Sequence, residues 1–159
     1  MMKHLHVSIA DQTLTLLCDD QPVAHYLVST ALKGPGEASG SEQTPRGRHI
    51  IRAKIGGGMP VGAVFRGRRP TGEVWTPELH VQHAGRDWIL SRILWLSGTE
   101  PGHNRLGNCD TMRRYIYIHG TPDTEPMGVP LSHGCIRMRS ADIIDLFDRV
   151  PVYTPVQID

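Results

Sequence analysis

Apolar and polar residues alternate along most of the chain, with the period of two that half-buried β-strands show. Leu5, Val7 and Ile9 begin this pattern, and the segments 13–17 and 23–29 continue it after short polar breaks. The residues between the second and third segments have turn chemistry, Asp-Asp-Gln-Pro. The first part of the chain is therefore predicted to be a meander of antiparallel strands.

Four later segments, 49–55, 88–96, 115–119 and 152–158, are also predicted to be strands. The second of them is apolar almost throughout, which favours a largely buried strand, and it is too short to span a bilayer. Glycine, proline and serine concentrate between these segments and predict loops at 33–47, 97–114 and 120–130. We expect short strands and turns in 62–85.

One helix is predicted, from about Ala141 to Val150. Ser140 is a candidate N-cap, Asp142 suits the positive first turn, and Pro151 ends the helix. The apolar residues share one face, as an amphipathic helix requires: Ile143, Leu146, Phe147 and Val150. The predicted fold class is mainly β with a single late helix.

Composition excludes several classes of protein. The chain has 159 residues, of which 39% are hydrophobic and 21% charged, so disorder and a coiled coil are excluded and residues 1–159 are expected to form one domain. The formal net charge of +1 provides no global field for nucleic acid, and we expect none as a partner. No apolar run approaches the ~18 residues that cross a bilayer, so membrane insertion is not expected.

The three cysteines, Cys18, Cys109 and Cys135, include no CxxC pair and do not resemble a secreted disulfide framework. The sequence enters a strand pattern within its first residues, without the apolar region of a signal peptide. These features predict a cytoplasmic protein with free thiols. A periplasmic location is the alternative if an export signal has been removed.

Residues with catalytic potential concentrate in His119-Gly120-Thr121 and in the segment 132–138, SHGCIRM. A cysteine nucleophile needs a base within hydrogen-bonding reach, and the base needs a group that orients it. Cys135 is the candidate nucleophile and His119 the base, while a backbone carbonyl near Gly120 could hold the imidazole in the useful tautomer. The loop between the two motifs could bring them together.

The thiol pKa is expected to be low, because His119, Arg137 and the N-terminus of the predicted helix near Ala141 would all favour the thiolate. The N–H groups of Gly134 and Cys135 are natural donors to an oxyanion. A histidine and cysteine zinc site is a weaker alternative, since no closely spaced ligand pair supports it. Its four candidate ligands are Cys109, His119, His133 and Cys135.

These motifs resemble those of the YkuD-type L,D-transpeptidases of bacterial cell-wall metabolism. The segment 132–138 and residues 118–121 (IHGT) carry the resemblance. Residues 28–30 (VST) and 44–47 (TPRG) are similar to a strand end and a turn of the same family, so that the resemblance extends over most of the chain.

The resemblance implies a YkuD-like sandwich or barrel-like β domain with one late helix after the cysteine loop. Cys135 would be the nucleophile and His119 the base, with Gly120 and His133 also in the catalytic set. Gly134, Ser132 and Arg137 would bind the oxyanion and the substrate. The family needs no metal or organic cofactor, and carbapenem β-lactams commonly acylate its cysteine.

The implied reaction attacks the bond between an L-configured diamino acid and a terminal D-alanine in a murein tetrapeptide, which could be free, sugar-linked or nucleotide-linked. Without an export signal, water would be the abundant acceptor. The leading hypothesis is therefore an L,D-carboxypeptidase of murein recycling. The alternatives are a periplasmic L,D-transpeptidase that cross-links stems or exchanges D-amino acids, and an inactive murein-peptide binding module.

Overall fold

The computed structural model describes residues 1–159, which form ten strands and two helices. The strands are β1 (Lys3–Ser8), β2 (Thr13–Cys18), β3 (Gln21–Leu27), β4 (Gly47–Ile55), β5 (Ala63–Arg66), β6 (Arg69–Val74), β7 (Ile89–Gly98), β8 (Tyr117–Thr121), β9 (Ile136–Arg139) and β10 (Pro155–Ile158). The helices are α1 (Pro77–Gln82) and α2 (Ser140–Arg149). The mainly β fold class with a helix after the cysteine loop is confirmed.

The strands β1, β2 and β3 form the antiparallel meander that the sequence predicts. The last strand of the chain, β10, pairs in parallel with β1, with Leu5 opposite Val156, and antiparallel with β4. The C-terminus of the chain is thereby built into the middle of the sheet.

The longest strand, β7, connects this part of the sheet to the rest. It pairs antiparallel with β4, β5 and β8, and β8 pairs in parallel with β9. Its register against β8 shifts between Leu90 and Ile93, and Ser91 within this bulge has a φ of 73°. Bulges bend a strand and increase its twist, and this one begins at Leu90, which pairs with Gly120 of β8.

The two ends of the sheet meet. Ser29, which follows β3, exchanges two backbone hydrogen bonds of 2.9 Å with Arg137 on β9. Ala31 forms a further bridge with Ser132, just ahead of β9. The curled sheet encloses a core of 19 buried hydrophobic residues, to which α2 contributes Ile143 and Leu146.

The helix α2 begins one residue earlier than the sequence predicts. Its N-cap is Arg139, which makes no side-chain capping hydrogen bond, so the assignment of Ser140 as the N-cap was wrong. The Ser140 hydroxyl instead accepts a hydrogen bond of 2.7 Å from the hydroxyl of Ser91 in the β7 bulge. At the other end, Lys54 Nζ donates to the carbonyls of Phe147 and Val150, which the helix leaves unpaired.

Residues 62–85 contain the expected short strands, β5 and β6, and also a helix that was not predicted, α1. Thr76 is its N-cap, accepting a hydrogen bond from the N–H of Leu79, and Pro77 follows directly. Threonine at the N-cap and proline at the first helical position were sequence signals for this helix. Neither helix has the length and apolar character needed to cross a membrane.

Burial of His49 on β4 predicts a loss of stability in acid. Its ring is 1% exposed, Nδ1 donates to the carbonyl of Gly47, and Nε2 accepts from the Thr111 hydroxyl. Burial lowers the pKa of His49 to about 4, while an unfolded histidine titrates near ~6.5. The unfolded state therefore binds the extra proton between these values, and stability present above pH ~6.5 is lost as the pH falls toward ~4.

We expect this group to contribute on the order of 3 kcal/mol to that loss, since one pKa unit corresponds to ~1.4 kcal/mol. Urea unfolding at pH 7 and pH 4.5 measures it, and His49→Gln should show a smaller difference between the two pH values. The same substitution at the hydrogen-bonded surface histidine His25 is the control. Equal pH dependence in His49→Gln and the wild type would contradict the assignment.

Candidate active site

The candidate site lies on one face of the two parallel strands β8 and β9. Ile118 is in register with Ile136, and His119 with Arg137. Side chains of a strand alternate between the two faces of the sheet. Both isoleucines are fully buried in the core, so His119 and Arg137 lie on the opposite face. Together with Cys135, they line a cavity of about 380 Å³, here called the catalytic cavity.

Cys135 immediately precedes β9, and its sulfur is held by the backbone of the segment next to it. Its Sγ accepts a hydrogen bond from the N–H of Tyr117 at 3.3 Å and donates to the carbonyl of Tyr115 at 3.4 Å. The polar loop between β8 and β9 returns the chain so that the two strands run in parallel. The sequence predicted that this loop could bring the two motifs together, and the structure places His119 and Cys135 along one cavity.

The prediction of a low thiol pKa was wrong. Removal of water by the surrounding residues raises the pKa of the Cys135 thiol to about 12, although the N–H of Tyr117 lowers it in part. The helix cannot help, because α2 starts only after the four residues of β9, which is ~13 Å of extended chain. The thiol therefore holds its proton at neutral pH.

His119 is 1% exposed, and its ring is oriented by the backbone. Its Nδ1 lies 2.7 Å from the carbonyl oxygen of Gly120. A carbonyl only accepts hydrogen bonds, so Nδ1 carries the proton and Nε2 has the free lone pair. Burial lowers the pKa of His119 below its ordinary value. The resting site therefore contains a neutral imidazole and a neutral thiol, and no hydrogen bond joins the two.

A glycine is required at position 120. A Cβ there would lie 2.3 Å from the carbonyl oxygen of Leu90 in the bulged region of β7. The close approach of β7 thus fixes the backbone whose carbonyl orients His119.

Arg137 is nearly buried and has an acidic partner that sequence analysis missed. Its Nη2 donates to Asp87 Oδ1 at 3.1 Å, and the other oxygen of Asp87 lies 3.8 Å from Nδ1 of His133. The Arg137 side chain is 10% exposed, whereas that of His133 is 64% exposed, at the mouth of the cavity. Asp87 follows α1 in a loop without a recognisable motif, so nothing in the sequence pointed to it.

Ser132 and Gly134 shape the loop that precedes the nucleophile. The Ser132 hydroxyl donates to the carbonyl of Cys135 at 2.6 Å and accepts from the N–H of Gly134 at 3.2 Å. The N–H of Gly134 is therefore already paired, contrary to its predicted availability for an oxyanion. The N–H of Cys135 makes no hydrogen bond within the chain and is the donor that remains.

Two further residues support this loop. Thr44 is fully buried, and its hydroxyl donates to the carbonyl of Gly134 at 2.9 Å and accepts from the N–H of Ala31 at 3.0 Å. Arg114, which lines the catalytic cavity, donates to the carbonyl of Gln43 at 2.7 Å. The sequence indicated Thr44 only through the TPRG turn, and it did not indicate Arg114.

The four residues of the zinc alternative are not assembled into a site. No group of three or more His, Cys, Asp or Glu side chains is placed to hold a metal ion. The thiol of Cys109 instead donates to the carbonyl of Leu106 in its own loop.

Residues 2–158 match the model of the YkuD family, the L,D-transpeptidase catalytic domain. The chain belongs to this family. The resemblance inferred from the IHGT and SHGCIRM motifs is thereby confirmed, and with it the assignment to a family of peptidoglycan enzymes that act as cysteine acyltransferases.

Among curated relatives, this YkuD domain is 34% identical over 93 residues to the probable L,D-transpeptidase YbiS of Escherichia coli. The alignment covers 57% of the chain and 29% of the relative. A 45-residue segment is 53% identical to the probable L,D-transpeptidase ErfK/SrfK of Salmonella typhimurium, covering 28% of the chain and 15% of the relative. The chain therefore matches less than a third of the length of either protein.

Solved structures share the fold at low sequence identity. An L,D-transpeptidase from Mycobacterium smegmatis superposes with a TM-score of 0.57 at 20% identity, covering 99% of this chain and 58% of that one. L,D-transpeptidase 3 of Mycobacterium tuberculosis, solved in complex with a faropenem-derived adduct, gives a TM-score of 0.59 at 15% identity, with 99% and 60% covered. These structures confirm the fold.

The contacts of Thr44 predict that Thr44→Val destabilises the YkuD domain by about 1–3 kcal/mol, because the buried carbonyl of Gly134 and the N–H of Ala31 both lose their partner. Urea unfolding measures the difference. Thr15→Val, which removes a hydroxyl that bonds His25 on the exposed surface of the meander, should cost much less. Equal losses in the two variants would contradict this role of Thr44.

Proposed function

We propose that this YkuD domain is an L,D-carboxypeptidase. It cleaves the bond between the L-centre of a diamino acid and the terminal D-alanine of a murein tetrapeptide, with water as the final acceptor. The observation that carries the proposal is the placement of a thiol, a neutral imidazole and a guanidinium along one cavity of about 380 Å³. That volume is in the range of small-ligand pockets and suits one peptide end.

The first half of the reaction forms a thioester. Cys135 Sγ attacks the scissile carbonyl carbon while its proton moves to Nε2 of His119. The Gly120 carbonyl accepts a hydrogen bond from Nδ1–H and so stabilises the resulting imidazolium, and the N–H of Cys135 donates to the oxyanion. When the intermediate collapses, the C–N bond breaks and the imidazolium gives its proton to the amine of the departing D-alanine.

The second half consumes water. His119 Nε2 takes a proton from the water molecule as its oxygen attacks the thioester carbon. The C–S bond then breaks, and the sulfur regains a proton from the imidazolium. The sum is one tetrapeptide and one water giving one tripeptide and one D-alanine, with the enzyme unchanged.

Because both catalytic groups are neutral at rest, attack and proton transfer must be coupled. A thiol with a pKa of about 12 provides almost no thiolate at neutral pH, so the base is needed at the moment of attack. A histidine whose pKa is lowered by burial stays unprotonated well below its ordinary value and is available for that task.

Recognition of the substrate falls to Arg137. Asp87 occupies one edge of its guanidinium through Nη2, and this is its single hydrogen bond within the chain. The remaining N–H donors are available to the terminal carboxylate of the peptide, for which a guanidinium has a matching geometry. Asp87 and His133 line the catalytic cavity beside that carboxylate.

The departing D-alanine has room beside Arg137. The pocket next to the catalytic cavity, which both Asp87 and Arg137 also line, has a volume of about 100 Å³ and is large enough for a single small residue.

The second candidate is an L,D-transpeptidase, which the names of the curated relatives favour. An amine would then replace water in the second half of the reaction. The third candidate is a binding module without activity. Binding alone does not require an oriented, buried base beside a thiol, so this arrangement disfavours the third candidate.

The decisive experiment is mass spectrometry of a murein tetrapeptide incubated with the protein, with Cys135→Ala as control and a D-amino acid as added acceptor. We expect loss of one D-alanine that depends on Cys135. Exchange or cross-linked products would support the transpeptidase, and turnover by Cys135→Ala would contradict the mechanism.

Imipenem should add its mass to the wild type and not to Cys135→Ala.

Arg137→Lys tests the carboxylate contact. Lysine keeps the charge but cannot form two parallel hydrogen bonds, so we expect KM to rise about tenfold, equivalent to ~1.4 kcal/mol, with a smaller change in kcat. Steady-state kinetics on the tetrapeptide measure the two constants separately. Arg52→Lys, on the exposed side of β4, is the control, and an unchanged KM in Arg137→Lys would remove this residue from the binding site.

A further inference from the structure

One guanidinium at the catalytic cavity has no part in the proposed reaction. Arg68, at the tip of the β5–β6 hairpin, lines the cavity together with Cys135 and Arg137. Its side chain makes one hydrogen bond within the chain, to the hydroxyl of Tyr117 at 3.0 Å. The single acidic residue that lines the cavity, Asp87, is bound to Arg137 instead. Arg68 is therefore a cation of the cavity without an anionic partner.

The guanidinium of Arg68 is held in a defined place. It lies over the rings of Trp95 and Tyr115, with its Cζ 4.6 and 4.8 Å from the two ring centroids. These cation–π contacts and the hydrogen bond from Nη1 to Tyr117 together fix the plane of the group. The remaining N–H donors, on Nε and Nη2, make no hydrogen bond within the chain. A fixed, planar guanidinium with free donors is suited to bind a carboxylate.

Arg114 also lines the cavity, but its guanidinium is already occupied. Its Nη1 donates to two backbone carbonyls, and its Nη2 donates to a third and to the hydroxyl of Ser41. Arg114 is thus committed to the loop that precedes Thr44. The cation of the cavity that remains available, besides Arg137, is Arg68.

Arg68 lies on the acyl side of the scissile bond. In the proposed reaction the terminal carboxylate binds Arg137, so the departing D-alanine lies at that end of the cavity. Arg68 does not line the pocket of about 100 Å³ next to Arg137. It is joined instead to Tyr117, whose N–H donates to the sulfur of Cys135. The part of the substrate near Arg68 is therefore the part that stays on the enzyme as a thioester.

The separation of Arg68 from Cys135 suits one long side chain. A single residue, Tyr117, connects the two, since its backbone N–H contacts the sulfur and its hydroxyl contacts the guanidinium. The residue whose carbonyl forms the thioester is the diamino acid of the stem. Its side chain is comparable in length to that of tyrosine, so its end reaches Arg68 while its carbonyl lies at the sulfur.

We propose that Arg68 binds a free carboxylate at the end of the diamino acid side chain and thereby selects stems that carry one. Diaminopimelate has this carboxylate, lysine lacks it, and amidated diaminopimelate has a neutral carboxamide in its place. Hydrogen bonds between a guanidinium and a carboxylate are about twice as strong as those between neutral groups, which gives the basis for selection. The inference rests on the proposed function for the position of the scissile bond.

The first test is steady-state kinetics on tetrapeptides that differ only at the third residue, which is diaminopimelate, its side-chain amide or lysine. In the wild type we expect KM for the first to be about tenfold below that for the other two. In Arg68→Gln, which keeps a hydrogen-bond donor and removes the charge, this ratio should fall toward one. A displaced hairpin would raise KM for all three peptides, so the ratio reports the contact itself.

Arg69→Gln is the matched control. Arg69 is the next residue of the same hairpin, is exposed, and does not line the cavity. Its substitution removes the same charge, so the preference for diaminopimelate should persist. Loss of the preference in both variants, or its persistence in Arg68→Gln, would overturn the proposal.

A fourth tetrapeptide distinguishes the source of the carboxylate. It keeps diaminopimelate unmodified and carries an amide in place of the free carboxylate of the preceding glutamate. We expect its KM in the wild type to equal that of the unmodified peptide. An Arg68-dependent rise in KM for this peptide would assign the arginine to the preceding residue and overturn the proposal.

Binding to Cys135→Ala separates this inference from the proposed function, because it requires no turnover. Calorimetry should show a preference of about tenfold in Kd for the diaminopimelate peptide, and its loss in Cys135→Ala/Arg68→Gln. This preference without turnover of any peptide by the wild type would support the role of Arg68 and reject the carboxypeptidase. Turnover of all the peptides with equal KM values would support the carboxypeptidase and reject the role of Arg68.

Discussion

The parallel pairing of β8 with β9 brings together the groups on which the chemistry of the site depends. Register places His119 beside Arg137, and alternation places the flanking isoleucines in the core. The same pairing brings Cys135 to the backbone at the start of β8, where the N–H of Tyr117 donates to its sulfur. A shift of one residue between the two strands would turn either the catalytic side chains or the core side chains to the wrong face. Core packing and site geometry are therefore specified by the same register.

Burial controls the electrostatics of the site more than neighbouring charges do. Desolvation is the largest cause of the pKa shifts of both Cys135 and His119, and it favours the neutral form of each. Arg137 and Asp87 act on both groups with opposite signs, Asp87 raising and Arg137 lowering each pKa, so that the two effects oppose each other. Nearby positive charge, on which the expectation of a thiolate was based, is a smaller influence on the Cys135 thiol than burial.

Much of the fold followed from local patterns, because strand alternation, turn chemistry and the apolar face of α2 are all properties of neighbouring residues. Cys135, His119 and the carbonyl of Gly120 were also found in this way, since they lie within two compact motifs. Asp87 was not found, because it reaches the cavity from a loop that is remote in sequence from both motifs. Arg114 lies only five residues before His119, but in a loop without a recognisable motif. The cap of α2 was misplaced for a similar reason: the partner of Ser140 is Ser91, on a strand that the local sequence around the helix does not include.

The backbone bonds between Ser29 and Arg137 also bear on the order of folding. They join residues separated by 108 positions (137 − 29) across the seam of the curled sheet. Contacts of such long sequence separation form late, because the entropy of closing the intervening loop must be overcome before they stabilise anything. β9 can pair with β8 early, but its pairing with the segment after β3 must wait until the first thirty residues are brought to it. The catalytic segment is therefore completed late in refolding, and activity should return after the local hairpins have formed.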